Sequence, residues 1–177
     1  LAEHADPNDE PIGVARTVAA PTRRLALSGR VDRIDERAPA GGTADEAELV
    51  VVDYKTGRQP STVDEARGSL ALALYVVGVR RALRRPSRRV ELHHLPSGEI
   101  ASFEHTDDSL ARHVARAEAT ADDIVAATDT LQSGADPDDV FPPAPGPICA
   151  WCDFRAHCAE GQAASQPVSP WAALPAL

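Results

Sequence analysis

The stretch Glu48-Leu49-Val50-Val51-Val52-Asp53-Tyr54-Lys55-Thr56-Gly57 decides the fold. Its apolar run, Leu49 to Val52, is too short for a helix and rich in β-branched residues, which suits a central buried strand. The turn-forming composition from Thr56-Gly57 to Pro60 ends it. As the strand exits, polar residues take over, and period-two alternation puts Asp53 and Lys55 on one face. Working outward, Ile12–Ala20 and Leu25–Glu36 read as two strands joined near Pro21. Arg37–Glu46, with Pro, Gly-Gly and acidic residues, reads as a solvent-exposed hairpin loop. Downstream, Ser61 or Thr62 caps one helix expected to run to about Arg84. Leu70, Leu74 and Val77 share a face of it, widened by Leu72, Val76 and Val79.

Arg88–Leu95 and Glu99–His105 flank Pro96-Ser97-Gly98 as a hairpin. Asp107–Ser109 caps a second long helix reaching about Gln132. Gly134–Gly146 is a Pro/Asp loop, Cys149–Ala159 a short helix carrying cysteines, and Glu160–Leu177 is expected to be a low-complexity, mobile tail whose Trp171 can dock. This order of elements predicts an α/β domain with a central mixed sheet flanked by helices. The expected organisation is a core over 1–145, a cysteine segment over 146–160 and a tail over 161–177.

A length of 177 residues with 43% hydrophobic residues suits one domain with a real core. The longest apolar stretch, Leu70–Val79, is about half of the ~20 residues that a membrane span needs. No basic-then-apolar start resembles a secretory signal, so a cytoplasmic protein is expected. The chain starts at Leu1 rather than Met, which predicts a missing N-terminal portion. A net charge of −9 argues against coating nucleic acid through bulk charge and leaves room for a local basic channel. Of 18 cationic side chains, 17 are Arg and one, Lys55, is Lys. The Ala-rich, Lys-poor composition suggests a GC-rich coding bias, under which surface cations drift to Arg. A solitary Lys then marks a site that needs a compact ammonium rather than a planar guanidinium.

Asp32 lies in Ser28-Gly29-Arg30-Val31-Asp32-Arg33-Ile34-Asp35, about twenty residues before Asp53. If the two strands pair as a hairpin, both carboxylates reach the same end of the sheet. Two carboxylates and one ammonium there suit a hard divalent cation such as Mg²⁺, which accepts a few carboxylates plus waters and phosphate. The lysine can orient or deprotonate an attacking water. The bland alternative, polar punctuation at a strand exit, is weakened by the companion Asp32 and the lone lysine. Asp35 competes with Asp32 but, three positions on, points to the opposite face of a regular strand.

Gly29-Arg30-Val31-Asp32-Arg33-Ile34-Asp35 and Val51-Val52-Asp53-Tyr54-Lys55-Thr56-Gly57 resemble the RecB-type branch of the PD-(D/E)XK nucleases. The resemblance implies a restriction-endonuclease-like core and a metal-dependent DNA nuclease. It implies that Asp32 and Asp53 hold Mg²⁺ or Mn²⁺, that the Tyr54 carbonyl joins them, and that Lys55 is catalytic. Family members carry a Gln-x-x-x-Tyr pattern in the following helix. Tyr75 matches its tyrosine as a further candidate catalytic residue, whereas Ala71 stands where the glutamine belongs.

All three cysteines fall in Cys149-Ala150-Trp151-Cys152-Asp153-Phe154-Arg155-Ala156-His157-Cys158, a C-x₂-C-x₅-C spacing better suited to metal ligation than to disulfides. Three thiolates lack one ligand for a tetrahedral zinc or a four-iron cluster. His157 completes a zinc site only awkwardly beside Cys158, and the other source is a cysteine upstream. The resemblance implies the second, a [4Fe-4S] cluster closed by a cysteine in the absent N-terminal portion, with a structural role. Arg80, Arg81, Arg84, Arg85, Arg88 and Arg89 read as a DNA-backbone contact or, preferably, as cations at a helix C-terminus. Of His93 and His94, at most one faces any site, and a solvated or core histidine is the expectation.

The expected activity is exonucleolytic, on DNA ends or single strands, in repair or recombination, with a helicase as partner in cis or in trans. The rivals are a nuclease-derived DNA-binding or scaffold domain without strong activity, and the nuclease end of a helicase–nuclease chain.

Overall fold

The computed structural model describes residues 11–38 and 47–165. The expected loose start before Pro11, the hairpin loop up to Glu46 and the part of the tail bearing Trp171 lie outside the described residues. The chain divides into two compact units, one up to Asp122 and one from Asp123 onward.

The first unit is built on five strands: β1 (Gly13–Pro21), β2 (Ala26–Arg37), β3 (Glu48–Lys55), β4 (Ser87–His94) and β5 (Ile100–Glu104). They lie in sequence order, β1-β2-β3-β4-β5. Every pairing is antiparallel except β3 with β4, which run parallel. A parallel pair cannot be closed by a tight turn. The crossover between β3 and β4 carries α1 (Val63–Gly68) and α2 (Leu70–Leu83). The result is the expected mixed sheet flanked by helices, consistent with a restriction-endonuclease-like α/β fold.

The expected single helix from Ser61 or Thr62 to Arg84 is two helices, and Ser69 is the reason. Its backbone is extended, ending α1, and its hydroxyl accepts the Leu72 N–H at 3.3 Å, starting α2. A side chain that caps a new helix competes with the ladder of the old one. Thr62 opens α1 through a capping box with Glu65, each accepting from the other's backbone N–H at 3.2 and 2.6 Å. The helix α3 (Asp107–Gln132) has the expected span, but its cap is Thr106, whose hydroxyl accepts the Ser109 N–H at 3.1 Å.

One face of the sheet packs on α2. Val18, Val31, Ile34, Leu49, Val51, Val90 and Leu92 meet Leu72, Ala73, Val76 and Val79 in one cluster, with Ala66 of α1 and Leu110 of α3 joining it. Two glycines allow the close approach. A Cβ on Gly78 would fall 2.8 Å from Val18, and one on Gly29 only 2.3 Å from the Tyr75 ring.

The second unit, from Asp123, holds the remainder of α3, one helical turn α4 (Pro137–Val140), two 3₁₀ turns (Pro147–Trp151 and Arg155–His157) and α5 (Ala159–Ala164). The cysteine segment is therefore two tight turns rather than one helix. Its three-residue hydrogen bonds, Cys149 N–H to Gly146 O and Cys158 N–H to Arg155 O, fold it more sharply than an α-helix would. The expected tail begins instead as α5, capped by the Cys158 sulfur.

Candidate active site

Alternation along β3 sorts its residues by face. Leu49 and Val51 enter the core under α2, and Asp53 and Lys55 continue that face to the strand end. On β2, Ile34 lies opposite Val51. Continuing this register one step past its last pair, Arg33 with Val52, sets Asp32 opposite Asp53. Asp32 Oδ2 accepts the Tyr54 backbone N–H at 3.1 Å, which ties the carboxylate to the end of β3.

The Lys55 ammonium lies 2.6 Å from Asp53 Oδ2. This contact lacks hydrogen-bond alignment, and the buried Asp53 Oδ2 has no hydrogen-bond partner among the described residues. The lysine side chain is 45% exposed and the aspartate 19%, so the pair sits at the rim of the sheet, open to a substrate. The Asp53 carboxylate, ion-paired to Lys55, and the Asp32 carboxylate, held by the Tyr54 N–H, are a set of oxygen donors of the kind a hard divalent cation accepts, with water and phosphate filling the remaining positions. It is a sparse set: among the described residues, no three His, Cys, Asp or Glu side chains converge on one point.

The strand geometry at Asp32 is irregular. The β1–β2 ladder skips the Ala15–Asp32 position, and Ala15 has φ 47°. A left-handed alanine is strained, and the Arg30 side chain helps hold it by donating to the Ala15 carbonyl at 3.2 Å. Val31 and Ile34, on either side of this position, both join the helix-side core although they are three residues apart.

Asp35 lies on the other face, away from Asp53. There it belongs to a buried ionic network that sequence reading did not find. Arg33 Nε and Arg37 Nη2 donate to Asp35 at 2.6 and 2.8 Å. Arg37 Nη1 donates to Glu91 at 2.6 Å, and Arg89 and His93 approach the same carboxylate at 2.8 Å each. Burial pushes the Glu91 carboxyl up. Hydrogen bonds from His93 and Arg37, with the charges of Arg37 and Arg89, outweigh that and hold it down at about 2. The Tyr54 ring turns to this face, edge-on to His93. Its main chain therefore serves the acidic site while its side chain covers the network. The only prior signal was the alternation of charge at Arg33, Asp35 and Arg37.

Tyr75 packs on Gly29, three residues before Asp32 along β2. With Ala71 and Leu74 it lines a cavity of about 200 Å³ between α2 and the first two strands. Three arginines of the arginine-rich segment have structural partners, whereas Arg81, Arg84 and Arg88 are exposed. Arg80 donates to the Ser87 carbonyl at 2.6 Å and to Asp107 at 2.9 Å, Arg85 pairs with Glu36, and Arg89 with Glu91. His94 is buried, as the core-histidine expectation had it, but with a specific pair of partners: Nε2 lies 2.8 Å from the Gly57 carbonyl and Nδ1 2.7 Å from the Ser97 hydroxyl.

In the second unit all three thiols are free. Cys149 Sγ accepts the Gly146 N–H at 3.3 Å, and Cys158 Sγ accepts the Gly161 N–H at 3.2 Å. A Cβ on Gly161 would lie 3.3 Å from Cys158 Sγ and 3.8 Å from Cys149 Cβ, so both cysteines border this one glycine. Cys152 and His157 are exposed, and the three thiols are not gathered into a ligand group.

No helix among the described residues is long and apolar enough to cross a membrane. No curated protein matches the chain. Asp53 and Lys55 share one face at the end of β3, and the Asp32 carboxylate on β2 is tied to that end through the Tyr54 N–H. The family model of the PD-(D/E)XK nuclease superfamily, whose members are nucleases that use divalent metals, matches residues 1–159, and the chain belongs to that superfamily.

Proposed function

We propose that this domain is a Mg²⁺- or Mn²⁺-dependent deoxyribonuclease of RecB type, an exonuclease on DNA ends or single strands that serves repair or recombination. The observation that carries the reading is the 2.6 Å approach of the chain's one lysine to Asp53, on the strand end that also receives Asp32. Asp32, Asp53 and the Tyr54 carbonyl would hold the cation. When bound, it would polarise the scissile phosphate and acidify a water. Lys55, on its flexible stem at the rim, orients that water and offsets charge developing on the phosphate oxygens. Attack at phosphorus forms one P–O bond and breaks the ester P–O bond, and the departing oxygen takes up a proton. Asp53, 2.6 Å away, keeps the ammonium aimed at the end of β3.

The cysteine segment is read as part of a [4Fe-4S] site with its fourth ligand supplied from outside these residues. Support comes from the C-x₂-C-x₅-C spacing and from the N–H donors on two of the three sulfurs. Free thiols of this kind suit a cytoplasmic setting.

A second reading, a DNA-binding or scaffold domain with little activity, is favoured by Ala71, whose short side chain borders the cavity beside Tyr75. Digestion of end-labelled DNA with Mg²⁺ separates the two. The wild-type chain should digest it, Lys55→Ala should be slower by on the order of a hundredfold or more, and Lys55→Arg should not restore the rate. Equal digestion by wild type and Lys55→Ala would remove Lys55 from the reaction.

A further inference from the structure

We propose that His94 is a positioning residue for Lys55: its imidazole pins the turn that follows the lysine onto the β4–β5 hairpin. The inference rests on the nuclease reading for its effect on rate, and on geometry alone for the clamp itself. In the parallel register His94 lies beside Lys55, as Leu92 lies beside Asp53, so it belongs to the same face as the acidic site. The backbones are joined there as well, because the Leu95 N–H donates to the Lys55 carbonyl at 2.9 Å.

The side chain completes the link. A carbonyl can only accept, so the 2.8 Å contact with Gly57 requires a hydrogen on His94 Nε2. In the neutral ring Nδ1 is then an acceptor, and it takes the Ser97 hydroxyl hydrogen at 2.7 Å. Ser97 Oγ in turn accepts the Glu99 N–H at 3.3 Å. One continuous chain of donors thus runs from Glu99 through Ser97 and His94 to Gly57. His94 is only 3% exposed, whereas Thr56, Gly57, Arg58 and Gln59 are all exposed. A buried imidazole with both nitrogens matched is more than apolar filling, since leaving either one unpaired would be costly. Its effect is to hold the exit of β3, and with it the stem of Lys55, so that the ammonium stays beside Asp53. Small displacements of a reacting group can lower a rate by on the order of a hundredfold.

Because Lys55 is the chain's single lysine, a lysine-specific protease reads local opening at this turn directly, whatever the nuclease activity. His94→Leu fills the volume without hydrogen bonds. His94→Gln returns an amide donor near the Nε2 position. Leu72→Ala, on the core face of α2, lowers global stability without touching the clamp. Expected are at least tenfold faster cleavage after Lys55 in His94→Leu, near wild-type cleavage in His94→Gln, and little change in Leu72→Ala under native conditions. In Mg²⁺-dependent digestion, kcat should fall about tenfold or more in His94→Leu with KM unchanged, and His94→Gln should recover most of it. Wild-type protease resistance in His94→Leu, or equal defects in the Leu and Gln variants, would overturn the proposal. Should His94→Leu not fold, Ser97→Ala removes only the hydroxyl, and unchanged cleavage after Lys55 there overturns it equally. If the wild type digests no DNA, the nuclease reading falls while the protease result still decides the clamp.

Discussion

The Tyr54 backbone N–H donates to Asp32 Oδ2 at 3.1 Å, joining a carboxylate on β2 to the strand that carries Asp53 and Lys55. This bond fixes the orientation of the Asp32 carboxylate at the end of β3.

Asp32→Asn keeps an oxygen to accept that N–H while losing the charge. The variant should melt within a few degrees of wild type, bind Mn²⁺ more weakly in calorimetric titration, and digest DNA slower by on the order of a hundredfold or more. Asp32→Ala should in addition lose about 1 kcal/mol of stability, the net worth of one hydrogen bond. Unchanged Mn²⁺ affinity in Asp32→Asn would remove Asp32 from the cation site.

The buried network gives the domain an acid-labile element. Glu91 titrates lower in the folded chain, at about 2, than in the unfolded one. Its contribution is therefore fully present above the ordinary carboxylate value of 4.5 and is lost as pH falls from there towards 2. The difference bounds that contribution at roughly 3 kcal/mol. Urea midpoints should drop steeply over this window, and the drop should be shallower in Glu91→Gln.

Arg37 bridges Asp35 and Glu91, so truncating it takes one cationic partner from each of two buried carboxylates. Arg37→Met should cost about 3–5 kcal/mol at neutral pH. A loss under 1 kcal/mol in chemical denaturation would mean that the remaining arginines and His93 suffice.

Gly29 is sterically required by Tyr75. Gly29→Ala should lower stability by about 1–3 kcal/mol through overpacking, read as a fall in melting temperature. Combining it with Tyr75→Leu should be less costly than the sum of the two changes, because the ring is what the methyl meets.

Iron should follow the cysteines. With only three thiolates in the chain, iron loaded by anaerobic reconstitution should be substoichiometric and labile, and each of Cys149→Ser, Cys152→Ser and Cys158→Ser should remove it. Stable, stoichiometric iron in these residues by themselves would show that no outside ligand is needed. Stoichiometric zinc instead would favour His157.

Much of this domain is legible along the chain because the signals are local. The run from Leu49 to Val52, the alternation before it and the turn at Pro96-Ser97-Gly98 each depend on neighbours within a few residues, and the five strands and the span of α3 follow from them. Asp53 and Lys55 share a face for the same reason. The sequence by itself therefore determined the α/β sheet and one edge of the acidic site. Tertiary structure alone decided which residues stand across from that edge. Asp32 is tied to the end of β3 by the Tyr54 N–H, just beyond the last β2–β3 pair, with a strained Ala15 breaking the ladder on its other side. Ser69 splits one apolar helix into two by turning its hydroxyl to Leu72. Glu91 and His94 look like ordinary polar strand residues until Arg37, Gly57 and Ser97 arrive from distant parts of the chain. Burying a charge or an imidazole depends on long-range partners satisfying it, and no periodicity in the sequence records where those partners lie.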